Sequence, residues 1–432
     1  MIKIEKLLQE LCPNGVEYKY LWELTAWDKK FNGLDRSMQK KVIPYKYYLS
    51  SDFDEVEREN GNIPYISTGT SSKQRYTTEE LAGDYLAEGE IVCIPWGGTP
   101  NVKYYKGKFV TGDNRIATSL DTNILDNKFL YYWMQSQIET IASFYRGAGI
   151  QHPSMKSVLE MRVPLPPLVA QREIVQVLDK FTLLTAELTA ELTARRQQYE
   201  YYRDNLLSPV KHTTQKCKIK DIADIYLGLT YTPTYVDNGV KFISSKNISN
   251  DYLDLTDVKY ISREEYDKST SNAKPKRGDI LFTRVGSNLG HPTIVNTDED
   301  LCIFVSVGYL RVKNPIVRNE YLKHWMKTDM FWGQVESKVK NAPKANLNTS
   351  WLREFEIEIP SLDVQDRIIY VLNNFDAICS DLQIGLPAEI EARQKQYEFY
   401  RDKLLTFNDS SAIILTDRQT DRQTDRQTDR QG

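Results

Sequence analysis

Gln198-Tyr199-Glu200-Tyr201-Tyr202-Arg203-Asp204-Asn205-Leu206-Leu207 and Gln396-Tyr397-Glu398-Phe399-Tyr400-Arg401-Asp402-Lys403-Leu404-Leu405 are two copies of one segment, 198 residues apart. Upstream, Val163-Pro164-Leu165-Pro166-Pro167-Leu168-Val169-Ala170-Gln171-Arg172-Glu173-Ile174 aligns with Ile357-Glu358-Ile359-Pro360-Ser361-Leu362-Asp363-Val364-Gln365-Asp366-Arg367-Ile368, here at a separation of 194. The second helical segment is therefore four residues longer. Weaker echoes precede both: Leu21-Trp22-Glu23-Leu24 with Ile219-Lys220-Asp221-Ile222, then Tyr65-Ile66-Ser67 with Phe242-Ile243-Ser244. Gly89-Glu90-Ile91-Val92 pairs with Gly278-Asp279-Ile280-Leu281, and Leu130-Tyr131-Tyr132-Trp133-Met134 with Leu322-Lys323-His324-Trp325-Met326. A single short match can arise by chance. An ordered series means that one ancestral unit was duplicated, so the halves share a fold and differ in surface.

Each half changes character along its length. Its first part holds short apolar runs such as Ile91-Val92-Cys93-Ile94, separated by Gly, Pro, Asn and Asp, which predicts short strands and loops with one helix around Leu130–Met134 or Leu322–Met326. In its second part Ile174, Val177, Phe181, Leu184, Leu188, Leu192, Tyr199, Tyr202 and Leu206 recur at three- and four-residue spacing, the seam of a long amphipathic helix. No Gly or Pro interrupts it between Gln171 and Leu207, so the helix should run roughly 55 Å. Ile368, Val371, Phe375, Ile378, Leu382, Ile390, Tyr397, Tyr400 and Leu404 form the matching seam, which Gly385 and Pro387 should break, with Pro387 opening the second piece. Two long helices alternating with two mixed domains cannot share one globular core, so the expected fold is α+β. It comprises two tandem-duplicated, mixed, β-rich domains separated by long helices that form an antiparallel coiled coil, with pseudo-two-fold symmetry. The expected boundaries are a first domain at 1–158, a helical spacer at 159–208, a second domain at 209–352, a second spacer at 353–407 and a tail at 408–432. Thr416-Asp417-Arg418-Gln419 and its three repeats in that tail have no apolar residue to bury and are expected to be disordered.

Composition narrows the function. With 41% hydrophobic and 27% charged residues the chain is globular, and no apolar run approaches the roughly 18 residues of a bilayer span. A cytoplasmic protein with no membrane partner is expected. Cys12, Cys93, Cys217, Cys302 and Cys379 are scattered singly, and His152, His212, His291 and His324 lack metal-site spacing, so no metal site is expected. Phosphate-binding loops, dinucleotide fingerprints and metalloprotease motifs are missing, as is the Asp/Asn-Pro-Pro-aromatic tetrapeptide that holds a flipped adenine. A net charge of −3 argues mildly against nucleic-acid binding, yet leaves room for local basic patches such as Lys274-Pro275-Lys276-Arg277.

The duplicated β-rich domain and helix, with Gln171-Arg172-Glu173-Ile174 opening one helix and Tyr199-Glu200-Tyr201-Tyr202-Arg203-Asp204 closing it, resembles the specificity subunits of type I restriction-modification enzymes. Thr185-Ala186-Glu187-Leu188-Thr189-Ala190-Glu191-Leu192 looks like the TAEL spacer of the type IC branch. Ala170 and Val364 depart from the acidic residue that similar proteins often carry before the helix-opening Gln. The resemblance implies a non-catalytic chain with no cofactor of its own. Its two target-recognition domains would each read half of a bipartite site in double-stranded DNA, and its helices would bind two modification subunits. Those partners would bring S-adenosylmethionine, and restriction/translocase subunits would bring ATP and Mg. A scaffold whose variable domains bind protein is the alternative reading, and a methyltransferase in its own right is a more distant one.

Base readout needs Arg, Lys, Asn or Gln at base edges, with basic and hydroxyl groups on phosphates. Glycine-rich loops carry such residues: Thr99, Asn101 and Lys103 in the first half, and Arg284, Ser287, Asn288 and His291 in the second. Arg146, Gln151, Lys344 and Asn346, near the domain ends, are further candidates. For partner binding, the resemblance points to the helix ends: Gln171, Arg172, Tyr199, Tyr202 and Arg203, and Gln365, Arg367, Tyr397, Tyr400 and Arg401.

If the TAEL repeat is a ruler, inserting one more after Leu192 lengthens the helix by about 6 Å and turns its far end by roughly 40°. One base pair of B-DNA adds about 3.4 Å and about 36°. The rotation matches one base pair, so the insertion should lengthen the nonspecific gap of the target by one and leave both half-sites unchanged. Methylation-sensitive sequencing reads this directly, and a change in the bases recognised would refute it.

Overall fold

The computed structural model describes residues 2–71, 73–209, 213–248, 252–286, 288–339, 346–380 and 385–407. The expectation of a disordered tail falls outside them. Two compact units divide the chain: Met1–Thr185 together with the last helix from Ala392 on, and Ala186–Glu391. Each unit thus holds one β-rich domain, the opening part of the helix that follows that domain, and the closing part of the other helix.

In the first unit a six-stranded sheet has the order Thr25–Trp27, Asn114–Ser119, Ala87–Pro95, Lys103–Thr111, Ile63–Ile66, Arg75–Thr77. All its pairings are antiparallel except Ile63–Ile66 with Lys103–Thr111, where Tyr65 faces Val110. The run Ile91-Val92-Cys93-Ile94 lies at its centre and is wholly buried, which is why it reads as continuous rather than alternating apolar sequence. In the second unit the same four-strand kernel recurs: Ala223–Leu227, Val307–Val312, Ile280–Thr283, Pro292–Ile294. The parallel pairing recurs as well, between Val240–Ile243 and Leu301–Ile303, in a second four-stranded sheet. One long strand in the first domain, Lys103–Thr111, thus does what two short strands, Pro292–Ile294 and Leu301–Ile303, do in the second. Residues between those two strands separate the sheets without changing the topology.

Each domain is closed by an antiparallel pair joining its beginning to its end. Glu17–Tyr20 pairs with Arg162–Leu165, and Thr214–Lys218 with Glu356–Pro360. A long helix starts directly after each closing strand: Leu168–Leu206, 39 residues and about 58 Å, and Leu362–Ser380, followed by Leu386–Leu405. The break falls where Gly385 and Pro387 place it, with Pro387 in the first turn of the last helix, where its missing N–H costs nothing. In the first unit Ile174 and Leu178 share a core with Tyr397, Leu404 and Leu405, and Phe181 stacks on Tyr400 at 5.3 Å. In the second unit Tyr199 and Leu207 share a core with Ile368 and Leu372, and Tyr202 stacks on Phe375 at 5.6 Å. The opening of one helix lies against the end of the other in both units, which is antiparallel pairing.

A short helix of each domain packs across the long helix through equivalent positions bearing different chemistry. In the first unit Tyr132, on Asn127–Ser136, donates its hydroxyl to Asp179 at 2.6 Å, and Lys128 joins the same carboxylate at 2.8 Å. In the second unit His324, on Asn319–Trp325, meets Asn373 through Nε2 at 2.8 Å and the Tyr199 hydroxyl through Nδ1 at 3.2 Å. The Asn373 carbonyl oxygen only accepts, so Nε2 carries the proton and Nδ1 accepts from Tyr199. Lys323 and Lys327 flank this pair and hold Asp376 at 2.9 and 3.4 Å.

Burial pushes the His324 imidazole down to about 4, and the two lysines add to this against the Asp376 carboxylate. The folded pKa lies below the unfolded value near 6.5, so the unfolded chain takes up the proton first, and stability present above about pH 6.5 is lost as the pH falls toward 4. The shift corresponds to roughly 3 kcal/mol. Urea midpoints at pH 7 and pH 4.5 should therefore converge in His324→Gln relative to the wild type. Equal pH dependence in the two proteins would show that His324 is not the titrating group.

Candidate nucleic-acid interface

At one end of the first sheet, strand Ala87–Pro95 runs into Trp96-Gly97-Gly98-Thr99, beside the start of Asn114–Ser119 and the end of Thr25–Trp27. The Trp96 amide donates to the Asp113 carbonyl at 2.9 Å, and its ring lies 4.6 Å from the Arg115 guanidinium. Arg115 is 1% exposed and is held by Asp28 at 2.7 Å and by Asp113. Burial pushes the Asp28 carboxyl above its usual range, against the pull of Arg115. Such a pair costs desolvation and repays it only through good geometry. Here it fixes the floor under Trp96.

A two-residue strand pair, Tyr145–Arg146 with His152–Pro153, folds over this loop. The Gly98 amide donates to the Gln151 carbonyl at 3.2 Å, the Tyr145 hydroxyl donates to the Pro95 carbonyl at 2.7 Å, and His152 packs 5.1 Å from the Trp96 ring. Thr99 is thereby brought to Arg146 and Gln151, some 50 residues further along the chain, and all three are exposed. Lys29 approaches Tyr47 and Trp96 at 5.9 and 6.0 Å, and Lys29, Lys30 and His152 are exposed at the same end.

Asn101 and Lys103 do not join them. Lys103 donates from Nζ to the Ser67 carbonyl at 2.5 Å, to the Ser67 hydroxyl at 3.1 Å and to the Gly69 carbonyl at 2.6 Å. Asn101 donates to the Thr68 and Thr99 carbonyls, both at 3.0 Å, and its Oδ1 is buried. Both side chains pin the 67–69 loop instead of reaching outward.

The second unit repeats the frame. The Arg284 amide donates to the Ser306 carbonyl at 2.8 Å, matching Trp96 with Asp113, and the Arg284 carbonyl accepts from the Leu347 amide at 2.9 Å. Val285 bridges to Asn346, which is exposed. The Arg284 side chain donates to the Val305 and Leu347 carbonyls at 3.1 and 3.4 Å, and burial lowers its pKa. Asn288 and His291 are half-buried on the same turn, where the Thr283 hydroxyl donates to the Asn288 carbonyl and the His291 amide donates to Thr283 Oγ1 at 3.2 Å. Ser287 and Lys344 lie outside the described residues.

On the helices, the candidates divide by burial. Gln171 and Gln365 are both 0% exposed. Gln171 accepts from the Asp126 amide at 2.9 Å and donates to the Ile124 and Pro166 carbonyls, both at 2.8 Å. Gln365 does the same with the Arg318 amide and the Ile316 and Pro360 carbonyls at 2.9, 2.7 and 2.9 Å. Both N–H groups of each amide donate inside the fold, so neither side chain stands at the surface. Tyr199 and Tyr397 are likewise buried, Tyr397 donating to Gln135 at 3.0 Å. Arg203 and Arg401 pair with Asp204 and Asp402, at 2.9 and 2.7 Å, and Tyr400 is half-buried. Arg172, Arg367 and Tyr202 are exposed. The sequence reading overlooked Tyr201 and Phe399, which stand at equivalent positions and are 65% and 62% exposed. Among the described residues no cluster of His, Cys, Asp or Glu could hold a metal, and no helix is long and apolar enough to cross a membrane.

The model of the type I restriction modification DNA specificity domain matches residues 45–195 and 211–392. The specificity subunit of the type I restriction enzyme EcoR124I/EcoR124II from Escherichia coli is 30% identical over 437 residues, covering 94% of this chain and 97% of that protein. The MjaVIII specificity subunit of Methanocaldococcus jannaschii is 20% identical over 347 residues, 74% of this chain and 80% of the relative. Among solved structures, the S subunit of a type I restriction-modification system from M. genitalium superimposes with a TM-score of 0.57 at 16% identity, covering 90% of this chain and 96% of that one.

Gln171→Leu removes the side chain that binds the Asp126 amide and two carbonyls at the helix start. The expected loss is about 2–4 kcal/mol, read as a lower urea midpoint. An unchanged midpoint would show that water replaces the amide without cost.

Proposed function

The chain belongs to the type I restriction-modification DNA specificity family, and from that premise we propose that each of its two domains reads one half of a bipartite, asymmetric site in double-stranded DNA. The observation that carries this reading is the repeated sheet end. In both units a loop leaving the central strand meets a second segment from shortly before the closing strand, and the exposed polar residues gathered there include Thr99, Arg146 and Gln151 in one and Asn346 in the other. Exposed polar side chains on a rigid backbone frame are what groove readout requires, and the nearby Lys29 and Lys30 suit phosphate. The acid–base composition is no obstacle, because binding depends on the local surface and not on the net charge.

The helices dock two modification subunits. A duplicated chain offers each of two identical partners the same surface, and Tyr201 and Phe399, exposed at equivalent positions, supply the kind of aromatic anchor that dominates protein interfaces. Methyl transfer from S-adenosylmethionine belongs to those partners, and ATP- and Mg-dependent translocation and cleavage to restriction subunits. This chain contributes recognition and geometry and no catalytic group.

The test is modularity. Exchanging residues 1–158 for the equivalent part of a related subunit should replace one half-site in the methylation pattern and leave the other intact. A chimera that assembles with its partner yet alters both half-sites would refute independent reading by the two domains.

A further inference from the structure

His152 enters no motif, yet the structure builds a seat for it. Its Nδ1 lies 2.7 Å from the Trp96 carbonyl oxygen, and its ring packs 5.1 Å from the Trp96 indole, which rests in turn on the buried Arg115. A carbonyl oxygen only accepts, so Nδ1 carries a proton, and Nε2 is the ring nitrogen left to meet a ligand. Gly97 makes room for this: a Cβ there would stand 2.8 Å from Ile150 and 3.1 Å from the ring of His152. Arg146 faces His152 across the two-residue strand pair, and Gln151 precedes it, both exposed. The side chain is thus oriented by its own domain, with its tautomer set, and is exposed among groups suited to DNA.

The duplication supplies a second, independent observation. Ser154 and Asn348 cap matching short helices, Met155–Leu159 and Thr349–Arg353, just before the matching closing strands Arg162–Leu165 and Glu356–Pro360. Counting back from either landmark, His152 and Asn346 occupy the same position. Asn346 is exposed, and it bridges to Val285 as His152 contacts the Trp96–Gly97 turn. A surface histidine satisfied by a nearby carbonyl would need no counterpart in the other domain and no glycine to admit its ring.

We propose that positions 152 and 346 are specificity-determining positions of the two domains, and that His152 Nε2 accepts a hydrogen bond from the exocyclic amino group of an adenine or cytosine in the major groove. This rests on the DNA-reading function proposed above and deepens it. In the major groove adenine offers N6–H2 where guanine offers the O6 acceptor, and cytosine offers N4–H2 where thymine offers O4. A fixed acceptor therefore separates adenine from guanine, or cytosine from thymine, at one base pair.

The experiment is long-read methylation sequencing of cells carrying the full chain with its modification partner, comparing wild type, His152→Ala, His152→Asn and Asn346→Ala. His152→Ala should make one position of one half-site two-fold degenerate, adenine relaxing to adenine or guanine, or cytosine to cytosine or thymine, with discrimination there falling about tenfold or more. His152→Asn should alter preference at that same position, and Asn346→Ala should act on the other half-site alone. An unchanged motif in His152→Ala, uniform weakening across the whole half-site, or loss of assembly in both His152 variants would overturn the proposal, since each marks a side chain that supports the loop or nothing. Absence of any sequence-specific methylation in the wild type would instead overturn the DNA-reading function itself, and that is read before any variant is compared.

Discussion

The arrangement of both units depends on one buried amide. Gln171 and Gln365 each sit in the first turn of a long helix and bind three main-chain groups: an amide and a carbonyl from the turn before the domain's packing helix, and a carbonyl at the end of the closing strand or one residue past it. A buried amide left without partners costs more than a satisfied one gains, so the three segments are held in one geometry or pay for unmade bonds. The packing helix and the closing strand are thereby fixed relative to the long helix that starts beside them. For a protein whose proposed task is to present loops to a groove at a set distance, that rigidity is the central requirement.

Duplication preserved this clamp while the neighbouring contacts diverged. The partners of the two glutamines are main-chain groups, which any sequence supplies, so each half could change freely around them. Contacts between side chains must change in pairs. Tyr132 with Asp179 in one unit and His324 with Asn373 in the other show two solutions at equivalent positions, one charged and one neutral. The neutral solution leaves a histidine that burial keeps unprotonated, beside two lysines that share the Asp376 carboxylate.

The sheet ends follow the same logic. A main-chain bond ties the residue after the central strand to the neighbouring strand in both units, from Trp96 to Asp113 and from Arg284 to Ser306. What stands on that frame differs. The first domain floors its loop with a buried guanidinium held by two carboxylates, whereas the second turns the Arg284 guanidinium onto two backbone carbonyls. A conserved backbone scaffold with divergent side chains is how one fold hosts two surfaces.

The sequence by itself determined the duplication, the β-rich domains, the two long helices and the break before Pro387, because these follow from repetition, from hydrophobic period and from the backbone limits of glycine and proline. It also pointed to the loop after the central strand and to the domain ends, without indicating that they meet. Only the tertiary structure decided which polar residues face outward. Gln171, Gln365, Asn101 and Lys103 have the chemistry of binding residues, but backbone groups distant in sequence consume it, and no local pattern reveals where those groups lie. His152 was the reverse case. Nothing in its neighbours along the chain marks it, and its orientation arises from a carbonyl 56 residues away that folding brings to 2.7 Å.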